Sequence, residues 1–183
     1  MSWMLLALQT ATLGATNYGV DAPMTAPSAP ATLADEFDGT RVDQTIWRFD
    51  TSRNAQGWFN NEKQYYAANR RENTRIEDGV LVIEARRETL TKARFPDWGG
   101  QAYTSAKLVT REQLGYGFYE VRAKLPCGRG AWPAIWMVGE DASWPEVGEI
   151  DIMEMVGWDP NVIHATLHSG ACLLYTSPSP RDS

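Results

Sequence analysis

The residues best placed to do chemistry stand in the stretch Trp144-Pro-Glu-Val-Gly-Glu-Ile-Asp-Ile-Met-Glu154-Met, whose last three acids are Glu149, Asp151 and Glu154. On a helix, at ~100° per residue, Glu149 would point roughly 140–160° away from the other two, and they could not share a site. On a regular strand Glu149 and Asp151 share one face while Glu154 falls on the other. One bulge between Asp151 and Glu154 adds a residue and returns Glu154 to the common face. Ile150 and Ile152 favour that strand and are expected on its buried side. Three carboxylates on one face repel, so a folded chain keeps them for a ligand, a metal or a reaction. The E-x-D-x-x-E spacing also arises on solvated surfaces, and a hard cation would want more oxygens than this strand supplies.

The elements that must position these acids read as short alternating strands. In Val80–Arg86, Leu81, Ile83 and Ala85 fall on one side; Tyr119, Val121, Ala123 and Leu125 do the same against Glu120, Arg122 and Lys124. In Ala131–Val138, Trp132, Ala134 and Trp136 oppose Ile135 and Met137, so one apolar side faces a second layer or a ligand. No long stretch has helical period, and the fold class is expected to be an all-β sandwich.

Composition narrows the partner. A formal charge of −6 and a pI near 4.9 argue against nucleic acid and anionic membrane, which need a positive field. A neutral polymer fits better, and eight tryptophans offer flat faces for sugar rings or filling for a core. No segment approaches the ~20 apolar residues of a membrane span. The start, MSWMLLALQTATLGA, has a short apolar run and then small residues but no preceding Lys or Arg, a weak signal-peptide pattern over residues 1–20. Secretion is the accompanying expectation. Residues 21–32, rich in Pro, Ala, Ser and Thr, read as a linker. Cys127 and Cys172 allow at most one disulfide and lack metal-ligand spacing.

Seven segments in order, ADEFDG (34–39), GWFNNEKQYY (57–66), NTRIEDGVLVIEAR (73–86), YTSAKLVT (103–110), YGFYEVRAKLPCGRGAWPAIWM (116–137), WPEVGEIDIMEMVG (144–157) and HATLHSG (164–170), resemble glycoside hydrolase family 16, in particular its laminarinase-like β-1,3-glucanases. The extra Met153 fits that branch rather than the lichenases, whose motif is one residue shorter. The resemblance implies a β-jelly-roll sandwich with an open cleft and retaining hydrolysis of a β-glucan such as laminarin, β-1,3 or mixed β-1,3/1,4. It needs no cofactor for catalysis and implies a monomer. The family also contains non-catalytic β-glucan recognition modules, but these lose the catalytic glutamates, and Glu149 and Glu154 are both present.

By the same resemblance Glu149 is the nucleophile, Glu154 the general acid/base kept protonated by its anionic neighbours, and Asp151 the helper between them. His168 takes the place beside the acid/base; a histidine merely bonded at a sheet edge is the plainer reading. Trp132, Trp136 and Trp144 match cleft aromatics, with core packing as the alternative. Asn60, Asn61 and Arg122 match positions that bond sugar hydroxyls, although Arg122 also suits a solvated strand. Lys107 stands where the family commonly has arginine, exchanging a planar fork for a point charge. Glu36 and Gly79 match a structural calcium site whose completing C-terminal aspartate is absent from this sequence.

The catalytic domain is expected over residues 33–169. From residue 170 to 183 the chain turns to Ser-Pro repeats, which read as a non-native tail. The expected sandwich is therefore incomplete at its C-terminus, with open strand edges and reduced activity.

Overall fold

The computed structural model describes residues 3–7 and 27–178. Outside Trp3–Ala7, the signal-like residues 1–20 lie beyond the described residues, as do 21–26 of the linker and 179–183 of the tail. The chain divides into two compact units, Met1–Lys124 and Leu125–Ser183. Among the described residues, the regular structure is β apart from a single 3-10 turn at Phe59–Asn61, so the expected all-β class holds. No helix there is long and apolar enough to cross a membrane.

The first unit carries β1 (Trp3–Ala7), β2 (Trp47–Phe49), β3 (Gln64–Tyr66), β4 (Thr74–Glu77), β5 (Val80–Ile83), β6 (Arg86–Arg87), β7 (Tyr103–Ser105), β8 (Leu108–Thr110) and β9 (Glu120–Lys124). They form a four-stranded sheet ordered β4-β5-β1-β9, a pair β2-β8 and a three-stranded sheet β3-β7-β6. Phe37, Trp47 and Leu81 are buried together, and Leu33, Ile83, Tyr119 and Val121 pack against them. Leu81, Ile83, Tyr119 and Val121 thus point inward as expected, whereas Ala85 and Ala123 are exposed, and Val82, on the side of β5 expected to be wetter, is buried as well. Asp35 fastens the start of the domain: its carboxylate accepts from the Phe37 amide at 2.9 Å and the Trp47 indole at 2.8 Å.

A second part of this unit is held by a polar network around the fully buried Asn54, Asn73 and Thr104. The Asn54 side chain donates to Tyr66 O and Asp97 Oδ2 and accepts from the Tyr66 amide and the Trp58 indole, between 2.9 and 3.2 Å. Asn73 donates to Glu84 O and Thr104 Oγ1 and accepts from Arg70. Arg70 in turn grips both oxygens of Glu88, at 2.6 and 2.9 Å. These bonds replace ones to water, and the arrangement is favourable because nearly every buried group is paired; Arg70 Nε, 3.6 Å from Glu72 Oε2, is the buried atom of the network without a hydrogen bond.

The second unit is an antiparallel meander of β10 (Ala134–Val138), β11 (Glu149–Glu154), β12 (His164–Ser169) and β13 (Cys172–Pro178). The stretch read as a foreign tail therefore begins with a strand, whose Thr176 lies opposite Thr166. Past β11 the chain keeps alongside the approach to β10, the Met155 amide donating to Pro133 O and the Gly157 amide to Ala131 O. That approach is close: a Cβ on Gly157 would stand 1.9 Å from Gly128 O.

Candidate active site

The three acids are aligned by the register of β11. Across β10, Val138 faces Glu149, Trp136 faces Asp151 and Ala134 faces Glu154. Across β12, His168, Thr166 and His164 face the same three residues in turn. Between Asp151 and Glu154 the register slips, so that Ile152 and Met153 together oppose the single residue Ala165. This is the bulge the facing argument required, and it puts Glu154 back beside Asp151.

The far side of β11 departs from expectation. Ile150 is 46% exposed and its cross-strand neighbour Leu167 48%, whereas Asp151 is only 4% exposed. A single four-stranded meander supplies no second layer of its own behind Ile150. On the other face, side chains close over the central carboxylate.

That burial has an electrical consequence. Desolvation, then the charges of Glu154 and Glu149, push the Asp151 carboxyl up from 3.8 to about 6, against an opposing pull from His168; a hydrogen bond with Glu149 adds to the rise. His168 Nε2 lies 3.2 Å from Asp151 Oδ2. Atoms of Glu149, Asp151 and His168 converge within 4.8 Å, so the histidine expected near the acid/base is in contact with the helper.

Both glutamates are held by tryptophans. The Trp144 indole donates to Glu149 Oε2 at 2.6 Å, and the Trp132 indole donates to Glu154 Oε1 at 2.9 Å. Trp144 reaches Glu149 because the loop between β10 and β11 doubles back, with Gly139 N bonded to Gly148 O and Val147 N to Ser143 O. Its ring also lies 6.0 Å from that of His168. Trp132, Trp136 and Trp144 are 49%, 37% and 55% exposed, so none of the three is enclosed in a core of the described residues.

The other expected residues belong to the first unit. Asn60 and Asn61 sit exposed on the 3-10 turn, both in the left-handed region with φ of 56° and 57°. Arg122 is exposed on β9. Lys107 bonds Asp50 at 2.9 Å, with its ammonium 4.9 Å above the Trp58 ring. Glu36 is exposed, and Gly79 forms the β4–β5 turn with a φ of 69°. One carboxylate and one carbonyl fall far short of the ~6–8 oxygens calcium takes, so these two residues alone do not fit that ion.

Three carboxylates gathered on one strand beneath exposed indoles make the candidate site of this all-β chain, and comparison with known proteins gives its family. Residues 61–177 match the profile of glycosyl hydrolases family 16, and the chain belongs to that family. It is 44% identical over 167 residues to a beta-glucanase of Rhodothermus marinus, covering 87% of this chain and 55% of that protein. A glucan endo-1,3-beta-glucosidase of Cryptopygus antarcticus is 44% identical over 140 residues, covering 75% of this chain and 50% of that one. The solved structure of SCLam, a non-specific endo-beta-1,3(4)-glucanase, superposes with a TM-score of 0.79 at 46% identity, covering 97% of this chain and 66% of its own. The β-jelly-roll class expected from the sequence is the one these neighbours share. The chain thus spans about half the length of the two relatives and about two thirds of the solved one.

Proposed function

We propose that this chain carries the catalytic centre of a retaining, endo-acting hydrolase of β-glucans with β-1,3 or mixed β-1,3/1,4 linkages. The observation that carries the reading is the bulged β11, which lines up Glu149, Asp151 and Glu154 on one face beneath open indoles. Family membership and the glucanase names of the relatives support it, as does a net charge of −6 that suits a neutral polymer better than an anionic one.

Glu149 attacks the anomeric carbon while Glu154 gives its proton to the departing glycosidic oxygen, forming a covalent glycosyl ester. Glu154 then takes a proton from water, which hydrolyses the ester with overall retention. Asp151, protonated below about 6, bonds to Glu149 and limits the repulsion among three close acids. His168 steadies Asp151 from β12. No cofactor enters the reaction. Retention of both glutamates favours the enzyme over a binding module.

A dinitrophenyl β-glycoside, whose leaving group departs as an anion, separates the roles. Glu154→Ala should still release a burst of phenolate and then stall for lack of a base, while losing about 10²–10⁴-fold on laminarin. Glu149→Ala should give no burst on any substrate. A burst from Glu149→Ala but not from Glu154→Ala reverses the assignment, and unchanged laminarin cleavage in both variants removes the cluster from the active site.

A further inference from the structure

Tryptophan is a donor only, and its N–H is rigid with its ring. An indole bonded to a carboxylate therefore links two things that are separate in most sugar sites: the plane on which a pyranose stacks and the direction in which a carboxylate points. The structure contains that link twice, through Trp144 to Glu149 Oε2 and through Trp132 to Glu154 Oε1. Both rings keep about half of their surface open. Each comes from a different segment, Trp132 from the approach to β10 and Trp144 from the β10–β11 loop, so the two carboxylates are steered independently.

From this we infer that Trp132 and Trp144 are positioning residues as well as sugar platforms: Trp144 orients the nucleophile Glu149 and Trp132 orients the acid/base Glu154. The inference rests on the roles proposed above for the two glutamates. Each indole takes one oxygen of its carboxylate, Oε2 of Glu149 and Oε1 of Glu154, and so fixes how the carboxylate is turned. A sugar ring seated on either indole would then fix ring plane and carboxylate together, so that binding and alignment are one event.

Trp→Phe substitutions delete the donor and keep a smaller aromatic face on which a sugar can still stack. Trp144→Phe should lower kcat about 10–100-fold on laminarin and slow the phenolate burst equally, because every substrate needs the nucleophile. Trp132→Phe should lower kcat on laminarin to a similar extent yet leave the dinitrophenyl burst within about twofold, because that leaving group needs no acid. KM should rise by less than kcat falls in either. A rise in KM at constant kcat, or equal effects of Trp132→Phe on both substrates, would make the indoles platforms only and overturn the inference. A second readout is independent of turnover. In a ¹⁵N spectrum of the full chain, each Phe variant removes and so assigns one indole N–H signal. Glu149→Ala should then shift the Trp144 signal and Glu154→Ala the Trp132 signal. If neither moves, the inference fails even where the proposed reaction stands; if both move while Glu149→Ala cleaves laminarin normally, the proposed reaction fails and the bonds themselves remain.

Discussion

Asp151→Asn removes the buried charge at the centre of the cluster while keeping the size of the side chain and an oxygen toward His168. The folded protein holds the proton of Asp151 up to about 6, the unfolded chain only to 3.8, so between those values the folded state binds more protons. Stability from this group is therefore lost as pH rises from 3.8 to about 6 and stays lost above. At 1.36 kcal/mol per pH unit, the gap between 3.8 and about 6 sets the cost at about 3 kcal/mol at neutral pH. The pull of His168 is already contained in that gap, and burial of the asparagine amide offsets part of it, which leaves an expected net gain of about 1–3 kcal/mol. Urea unfolding of both proteins from pH 3 to pH 8 measures it: the curves should nearly coincide at pH 3 and separate through the interval to 6, with the variant the more stable. Laminarin turnover should fall in the same variant. A variant less stable at pH 7, or a difference that does not depend on pH, refutes the reasoning.

The grip of Arg70, then a bond from Thr104, holds the Glu88 carboxyl down from 4.5 to about 2, despite an opposing desolvation, so its contribution is present above 4.5 and lost as pH falls toward 2. With a quarter of the Glu88 side chain exposed, Glu88→Gln should cost about 2–3 kcal/mol at pH 7 and almost nothing near pH 2 in urea melts; a pH-independent loss would contradict this. Gly157→Ala drives a Cβ into Gly128 O and must move the turn that leads to Trp132, so it should cost about 1–3 kcal/mol and reduce turnover, whereas Gly115→Ala, with nothing within 4 Å, should do neither.

What the sequence made legible was whatever depends on local period. Glu149 and Asp151 alternate with Ile150, and the demand that Glu154 join them was enough to place a bulge before any coordinates. The exposure of Ile150 was not legible, because alternation says which residues share a face but not which face is covered. The indole bonds to the glutamates were hidden for a different reason. Trp144 is five residues and Trp132 twenty-two from its partner, and only the path of the connecting loops brings them together. Asn54, Asn73 and Thr104 read as ordinary polar loop or strand residues, yet all three are fully buried. Some of their bonds reach 12, 31 and 43 positions along the chain, beyond any periodicity. Family resemblance supplied roles for the acids, but the contacts that steer them came from the fold.

The two-for-one step at Ile152–Met153 also bears on how such a site can change over generations. A strand reads its residues by odd and even position, so losing a single residue ordinarily inverts everything downstream. Here an extra residue and the bulge that absorbs it cancel, and a strand one residue shorter without the bulge would present the same three acids to the same side. A deletion at Met153 that removed the bulge would keep Glu154 opposite Ala134 and His164 and the following Met155 and Gly157 against Pro133 and Ala131, so the carboxylate face and the segment beyond it would both keep their neighbours. Selection on motif length in this strand would then act on the bend and twist that a bulge adds, while the order of the carboxylates stayed silent to it.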